Sequence, residues 1–393
     1  MQTIIIDKPY VFVPPHRGTF WASILRLFLR WRLRRAYDLR SVECRGAEKL
    51  KASYDAGHGI ILAPNHCRPY DPMVMNVMCT DAGVLPYFMA SWHLFMQDRV
   101  MAWSLPRLGC ISIYREGLDR QALNMAIEVI EQESRPLIVF AEGYVSRHND
   151  LLNPLNEGVA FIARSAAKKR AAAAKPSQVV VHPVALRYLV EGDVRAIVEP
   201  VLTEIETRLT WRCHKHLRIE ERIAKVGSAL LALKEIEITG AAQTGTIPER
   251  LQKLIDAILI PIEKEWLKGR PETHTVARVI KLRMALLPDM VKGDITEAEK
   301  ARRWRLLADL YLAQQLSCYP PDYLAASPTP ERLLETVERY EEDLKDDVRP
   351  LPHRAIITMG DAIVVNPERQ RGAPDAVMTG IETQLKSMLG ISH

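Results

Sequence analysis

Between Ser41 and about Pro200, short apolar runs rich in β-formers alternate with helical stretches, and that alternation commits this part of the chain to an α/β domain. The runs are Gly59 to Ala63, Ile111 to Tyr114, Leu137 to Phe140 and Val179 to Leu186. A helix is expected to open at Asp71-Pro72, with Asp as N-cap and Pro at the first helical position. Others are expected from about Asp119 to Glu133 and from Asn156 to Lys175, where the basic residues Lys168, Lys169 and Arg170 read as a solvated face. From roughly Val201 to Asp347 the chain turns to Leu, Glu, Lys and Arg at helical spacing, enough for four to six helices. Pro248, Pro261, Pro271, Pro288, Pro320, Pro321, Pro328 and Pro330 mark helix starts or linkers there. Strand-like residues return at Ala355 to Met359 and Ile363 to Val365, and Asp375 to Leu389 closes the chain as a helix. A tail returning to the sheet would make the helical part an insertion. No internal repeat of about 20 to 50 residues is recognisable. The expected organisation is an N-terminal segment 1–40, an α/β domain 41–200, a helical region 201–350 and a strand and helix in 351–393. The fold class is α/β, a mixed sheet flanked by helices, with a large, mostly helical C-terminal region.

The formal charge of +5 over 393 residues is too small to argue for nucleic-acid binding, but the positive residues gather near the N-terminus. In Thr19 to Arg35, Trp21, Ile24, Leu25, Phe28 and Trp31 recur at three- and four-residue steps on one side of a helix, and Arg26, Arg30 and Arg34 lie opposite. Arg32 and Arg35 sit nearer the apolar edge, where buried stems could lift the guanidiniums to lipid phosphates. Two readings stand: a helix lying on a membrane surface through residues 19–35, or one packing on the protein with a solvated basic back. No apolar run of about eighteen residues indicates a transmembrane helix, and Met1 to Pro15 lacks the pattern of a signal peptide. Cys44, Cys67, Cys79, Cys110, Cys213 and Cys318 have no C-x-x-C spacing, so neither a disulfide framework nor a zinc ribbon is expected. A cytoplasmic protein, peripheral on the inner face of the membrane, is the expectation.

The segment most suited to chemistry runs from Ile60 to Pro72, an apolar strand that ends in the polar loop Asn65-His66-Cys67-Arg68-Pro69-Tyr70 and opens a helix at Asp71. Loops at the carboxyl ends of strands carry reactive groups in α/β proteins. A carboxylate five residues from His66 could hold one ring nitrogen while the other faces a substrate. Equally, Asp-Pro is an ordinary helix start and a loop histidine is commonly just exposed. In a second segment, Leu137 to Arg147, another strand runs into Glu142-Gly143-Tyr144-Val145-Ser146-Arg147, a turn that could bind a polar headgroup or be merely a turn. A third, Pro106 to Arg115, leads a strand into Arg115, whose planar fork suits a phosphate but which is equally read as an exposed arginine after an edge strand. In the fourth, Val181 to Leu186, Pro183 implies an edge or loop position.

Taken in order, the four segments resemble the glycerolipid acyltransferase family, which includes lysophosphatidate acyltransferases. Its Asn-His-x-x-x-x-Asp motif is matched by Asn65, His66 and Asp71, and its Gly-x-x-x-x-x-Arg motif by Gly109 and Arg115. Its Phe-Pro-Glu-Gly-Thr-Arg-Ser motif corresponds to Phe140 through Ser146, with Glu142, Gly143 and Ser146 retained, and its last motif to Pro183. Ala141, Tyr144 and Val145 depart from the pattern, and with Val145 in place of the usual arginine, Arg147 is the nearest substitute. The resemblance covers about Val42 to Pro200. It implies acyl transfer from acyl-coenzyme A or acyl carrier protein to a lysolipid hydroxyl. His66 would be the base, Asp71 its orienter, and Asn65, Gly109, Arg115, Glu142, Gly143, Ser146 and Arg147 the substrate-binding residues.

The residues suit a direct attack, with backbone amides near the Asn65 loop or the Gly143 turn as oxyanion donors. No Gly-x-Ser-x-Gly elbow suggests an acyl-serine, although Cys67 beside His66 is a conceivable nucleophile. No cofactor or metal is expected: the zinc, nucleotide and dinucleotide motifs are absent, and Cys213, His214 and His216 lack a second ligand cluster. Two competing readings are a thioester or phospholipid hydrolase using the same pair, and a catalytically silent lipid-binding protein.

Overall fold

A computed structural model describes residues 8–391 except 174–176, 268, 270–271, 321–322, 325–327, 346–349 and 370–373. Lys175, Pro271, Pro321 and Asp347, named above as limits or breaks, lie outside the described residues. The chain forms two compact units. A sheet unit is drawn from 11–114, 119–191 and 350–393, and a helical unit mainly from 192–349, with the short segment 115–118.

Among the described residues the sheet has eight strands: β1 Leu39–Arg45, β2 Gly59–Pro64, β3 Tyr87–Ser91, β4 Cys110–Ile113, β5 Leu137–Ile138, β6 Val179–Val190, β7 His353–Met359 and β8 Ile363–Val364. Their order is β1-β7-β6-β2-β5-β3-β4, with β8 on β6. Strands β2 to β6 are mutually parallel, β7 and β8 run antiparallel to β6, and β1 is parallel to β7. The sheet is therefore mixed. All six residues of β2 are buried, as a strand covered on both faces requires, and this makes it legible as an unbroken apolar run. β1 and β3 escape the sequence reading because β1 is an edge strand with exposed charged residues and β3 spans only Tyr87–Ser91.

Pro183 corrects an expectation, since it lies in β6, an interior strand, and not at an edge. Its carbonyl accepts from Gly360 N at 2.7 Å. Nitrogen and carbonyl of a strand residue face the same neighbour, so the missing N–H falls in the gap between β7 and β8, where no ladder bond is lost.

The helices of the sheet unit are α1 Phe20–Leu25, α2 Leu29–Tyr37, α3 Ala47–Asp55, α4 Asp71–Asp81, α5 Trp92–Phe95, α6 Arg99–Arg107, α7 Arg120–Gln132, α8 Gly158–Ala172 and a last helix, Ala376–Leu389. The single helix expected over residues 19–35 is thus two, joined by a 3-10 turn at Arg26–Phe28. On one face of the sheet Ala126, Ile130, Ala163, Ile381 and Leu385 pack on Ile61, Val181 and Ala185 in a single core. On the other, α3 and α4 pack against β1, β2 and β7, which sets the first turn of α4 beside the carboxyl end of β2.

The helical unit holds α9 Val194–Thr210, α10 Ile219–Thr239, α11 Ile247–Trp266, α12 Thr275–Lys292, α13 Glu297–Leu316 and α14 Pro330–Leu344. Leu254, Leu259, Leu282, Leu286, Leu307 and Leu310 form its core. Pro261 and Pro288 lie inside α11 and α12 and are not breaks; the buried Ile258, Leu259 and Ile262 around Pro261 hold that helix together despite the lost hydrogen bond.

A repeating joint runs through this unit. Near the end of each of three helices a glutamate is clamped by an arginine at the start of the next: Glu206 by Arg222, Glu235 by Arg250 and Glu263 by Arg278. The arginines follow one another at 28-residue steps. In the first two joints a linker amide completes the clamp, His214 N to Glu206 and Gln243 N to Glu235, both at 2.9 Å. Thr210 and Thr239 also bond back to the same glutamates' carbonyls, at 2.9 and 2.8 Å. The recurring stretch is short, Ile-x-Glu-Arg at 219–222 and 247–250 against Thr-Val-Ala-Arg at 275–278, too little for the sequence alone to read as a repeat.

Candidate active site

Pro64 ends the pairing of β2 with β6, and the chain must leave the sheet there. Asn65, fully buried, manages the exit: its Oδ1 accepts from Leu186 N at 2.7 Å and its Nδ2 donates to Leu186 O at 3.1 Å. A side-chain amide thus replaces the next rung of the ladder. Asn149 does the same two residues along β6, its amide bonding both N and O of Tyr188. The two asparagines hold the open edge of β6 rigid beyond β2.

His66 follows directly. Its backbone N donates to Glu142 Oε1 at 2.7 Å, its carbonyl accepts from Ser146 N at 2.7 Å and Ser146 Oγ at 3.0 Å, and its ring stacks on Phe140 with centroids 4.0 Å apart. Nδ1 lies 2.8 Å from Asp71 Oδ2. A carboxylate can only accept, so Nδ1 carries the proton and Nε2 presents its lone pair. The side chain keeps 10% exposure, and among the described residues no protein group bonds Nε2.

Asp71 is not the N-cap. Tyr70 is the cap and Asp71 the first residue of α4. Its carboxylate, with no exposure, accepts at Oδ2 from His66 and from Arg68 N at 2.9 Å, and at Oδ1 from the Tyr188 hydroxyl. Burial, reinforced by the Asp71 charge, raises the Tyr188 hydroxyl well above its ordinary range, so it stays protonated and donates. A buried carboxylate needs such donors to remain charged. Beside it, Tyr70 Oη lies 2.6 Å from His353 Nε2, and His353 Nδ1 is 2.6 Å from Leu351 O. Burial, with Arg68 nearby, pushes His353 down to about 4; neutral, it donates from Nδ1 to the carbonyl and accepts from Tyr70 at Nε2.

Glu142 acts on the loop and not on the outside. It is buried, and Oε2 accepts from Asn153 N at 3.2 Å and Nδ2 at 2.7 Å. Burial pushes its carboxyl up to about 7, against those hydrogen bonds. Between the ordinary value of 4.5 and about 7, only the unfolded chain ionises, so stability falls as pH rises through that window and levels off above it. A shift of this size corresponds to roughly 3 kcal/mol. Glu142→Gln should flatten the decline in melting temperature between about pH 5 and about pH 8; an unaltered slope would refute this role.

The structure brings Asn65, His66, Asp71, Glu142 and Ser146 together. Asn65, Glu142 and Ser146, expected to bind substrate, have their side-chain polar atoms hydrogen-bonded within the loop and to β6. Gly109 precedes β4, at the amino end of a sheet region whose carboxyl end carries His66. Its φ of 86° closes the turn after α6, and a Cβ there would meet Pro86 O and Tyr87 Cδ1 at 3.1 Å. Gly143, φ 76°, makes its turn by donating its N to Phe140 O at 3.1 Å. The amides of His66, Arg68 and Gly143 are therefore engaged, and none of these is an oxyanion donor as it stands. Arg147, partly buried, has left-handed backbone at φ 61°, a conformation non-glycine residues adopt where surroundings impose it. Arg115 is exposed, two residues beyond β4, and groups with the helical unit. Cys67 is buried, with Sγ 3.5 Å from Leu186 O and 3.0 Å from Asn65 Nδ2, an arrangement that turns the thiol toward β6.

Sequence reasoning missed Tyr188, Asn149, Tyr70 and His353. Only Tyr188 had a signal, as the polar-tipped aromatic just past the apolar run that was ended at Leu186.

A family model described as Acyltransferase matches residues 41–187. No curated protein matches the chain.

Proposed function

Taking residues 41–187 as a domain of the acyltransferase family, we propose that the protein moves a fatty acyl group from acyl-coenzyme A or acyl carrier protein to the hydroxyl of a lysophospholipid or related glycerolipid. The observation that carries this reading is the His66 imidazole, fixed at Nδ1 by Asp71 at 2.8 Å and presenting an unoccupied Nε2. Nε2 takes the proton of the acceptor hydroxyl as its oxygen attacks the thioester carbonyl. Collapse of the tetrahedral intermediate breaks the C–S bond, and the leaving thiolate receives the proton back from Nε2. The Asp71 carboxylate balances the imidazolium between the two transfers, as carboxylates do in hydrolase triads. Tyr188 and the Arg68 amide keep that carboxylate in place.

A peripheral position on the cytoplasmic face of a membrane fits the same reading. Among the described residues no helix is long and apolar enough to cross a bilayer. The stretch from α1 to α2 carries exposed aromatic and arginine side chains suited to a lipid surface.

The test is an assay of the purified protein with labelled acyl-coenzyme A and a panel of lysolipids, read by lipid mass spectrometry. Acylated lipid formed only with a lysolipid acceptor supports transfer. Free fatty acid released at the same rate with and without acceptor would replace it with hydrolysis, and lipid binding without turnover would leave a silent binding protein.

A further inference from the structure

Helix α6 is a nine-residue helix, RVMAWSLPR, in which no residue is buried. That is unusual for a segment carrying Val100, Met101, Trp103 and Leu105, since an apolar helix in a globular protein turns one face inward. The helix is nevertheless well made. Asp98 caps it by accepting from Val100 N at 2.7 Å and Met101 N at 2.8 Å, and the Arg107 guanidinium lies 4.6 Å from the Trp103 ring while donating to Trp103 O at 2.8 Å. Val100 is 71% exposed, and Trp103 and Met96 are 41% exposed.

The exposed side chains of α6 are continuous with others distant in sequence. Trp103 meets Trp21 edge-on with centroids 4.9 Å apart, and from Trp21 the apolar surface extends along α1 and α2 through Phe20, Leu27, Phe28 and Trp31, each 60% exposed or more. Across α1, α2 and the 3-10 turn between them only Ala22 and Leu33 are buried. Isolated exposed apolar residues are ordinary, but a contiguous patch of this kind marks a surface that something covers.

Charge identifies the cover. Residues 20–37 contain Arg26, Arg30, Arg32, Arg34 and Arg35 and no carboxylate. Arg30 pairs with Asp81 at 3.0 Å, while Arg26, Arg32, Arg34 and Arg35 have no carboxylate partner among the described residues. Exposed Arg99 opens α6. Aromatic rings with arginines interleaved suit the boundary between acyl chains and anionic headgroups, where rings and guanidinium stems bury and the charged ends meet phosphates. We propose that α6 and the α1–α2 segment form one lipid-facing surface that seats the protein on a bilayer carrying anionic lipid. The inference goes beyond the N-terminal helices alone and does not depend on the acyl-transfer chemistry.

The experiment uses the full chain and measures partitioning onto phosphatidylcholine vesicles with and without phosphatidylglycerol. Wild type should bind the anionic vesicles more tightly, and less so as salt is added. The double variant Val100→Asp, Trp103→Ser should lose roughly tenfold or more in partitioning while its circular dichroism is unchanged. Bromolipid quenching of tryptophan emission should be weaker in Trp103→Phe, a variant that keeps the surface apolar. Unchanged partitioning of the folded double variant, together with a loss in Trp31→Ser, would overturn the assignment of α6 and leave lipid contact to α1–α2. Equal binding to neutral and anionic vesicles would overturn the charge argument. Concentration-dependent dimers without vesicles, abolished by the double variant, would make the patch a self-association surface instead. None of these readouts uses acyl transfer, so their failure is distinguishable from failure of the proposed activity.

Discussion

Replacing His66 by alanine is expected to lower acyl-transfer turnover on the order of a hundredfold or more, and Asp71→Asn to do the same, with the fold intact in both. The two variants act differently. Alanine at position 66 removes the proton acceptor while leaving the backbone bonds to Glu142 and Ser146, which belong to the main chain. Asparagine at position 71 keeps one oxygen to accept from His66 and Arg68 and places an amide nitrogen toward Tyr188, whose hydroxyl can accept as well as donate. What it loses is the negative charge that balances the imidazolium. The Asp71→Asn loss should therefore fall on kcat, the step in which the imidazolium forms, and only weakly on KM. Steady-state kinetics with a single acceptor, alongside thermal melts, measure this; near-normal turnover in both variants would end the assignment of this pair as the base and its orienter.

The second large effect is on stability. Arg250→Ala should destabilise the helical unit by about 3–5 kcal/mol, because it strands the Glu235 carboxylate at 0% exposure. Arg250 donates to both oxygens of Glu235 at 2.8 Å and to Ser228 Oγ at 2.9 Å. The guanidinium holds the Glu235 carboxyl below its ordinary range, so the stabilisation is present above that range and is lost as pH falls. Replacing both partners by apolar residues should cost far less, since no charge is then left buried. Arg302→Ala is the control: its pairing with Glu265 is about half exposed and should be worth at most about 1 kcal/mol. Urea unfolding of the intact chain, followed at the transition that Arg250→Ala shifts, tests this. A loss no greater than the control's would show that the clamp is not what holds the joint.

His66 and Asp71 were legible because the pattern that marks them is local: an apolar strand, a polar loop and a helix start within thirteen residues, on which position along the chain nearly determines position in space. Glu142 and Ser146 were legible as members of the site but not in their work, because nothing local indicates that a turn 76 residues away supports the His66 backbone instead of facing substrate. The clamps of the helical unit were invisible, since each pairs residues 15 or 16 apart across a helix joint, beyond the three- and four-residue steps that helical periodicity shows.

By itself the sequence determined the α/β class, the places of most strands and helices, and the loop carrying the imidazole, because burial on both faces and helical periodicity write themselves into adjacent residues. Only the tertiary structure decided that β7 enters the sheet between β1 and β6, that Tyr188 from β6 completes the Asp71 carboxylate, and that α6 leaves Val100 and Trp103 exposed beside Trp21. Those are matters of which distant segments meet, and a buried charge or an uncovered apolar face is recognisable only once every neighbour is in place.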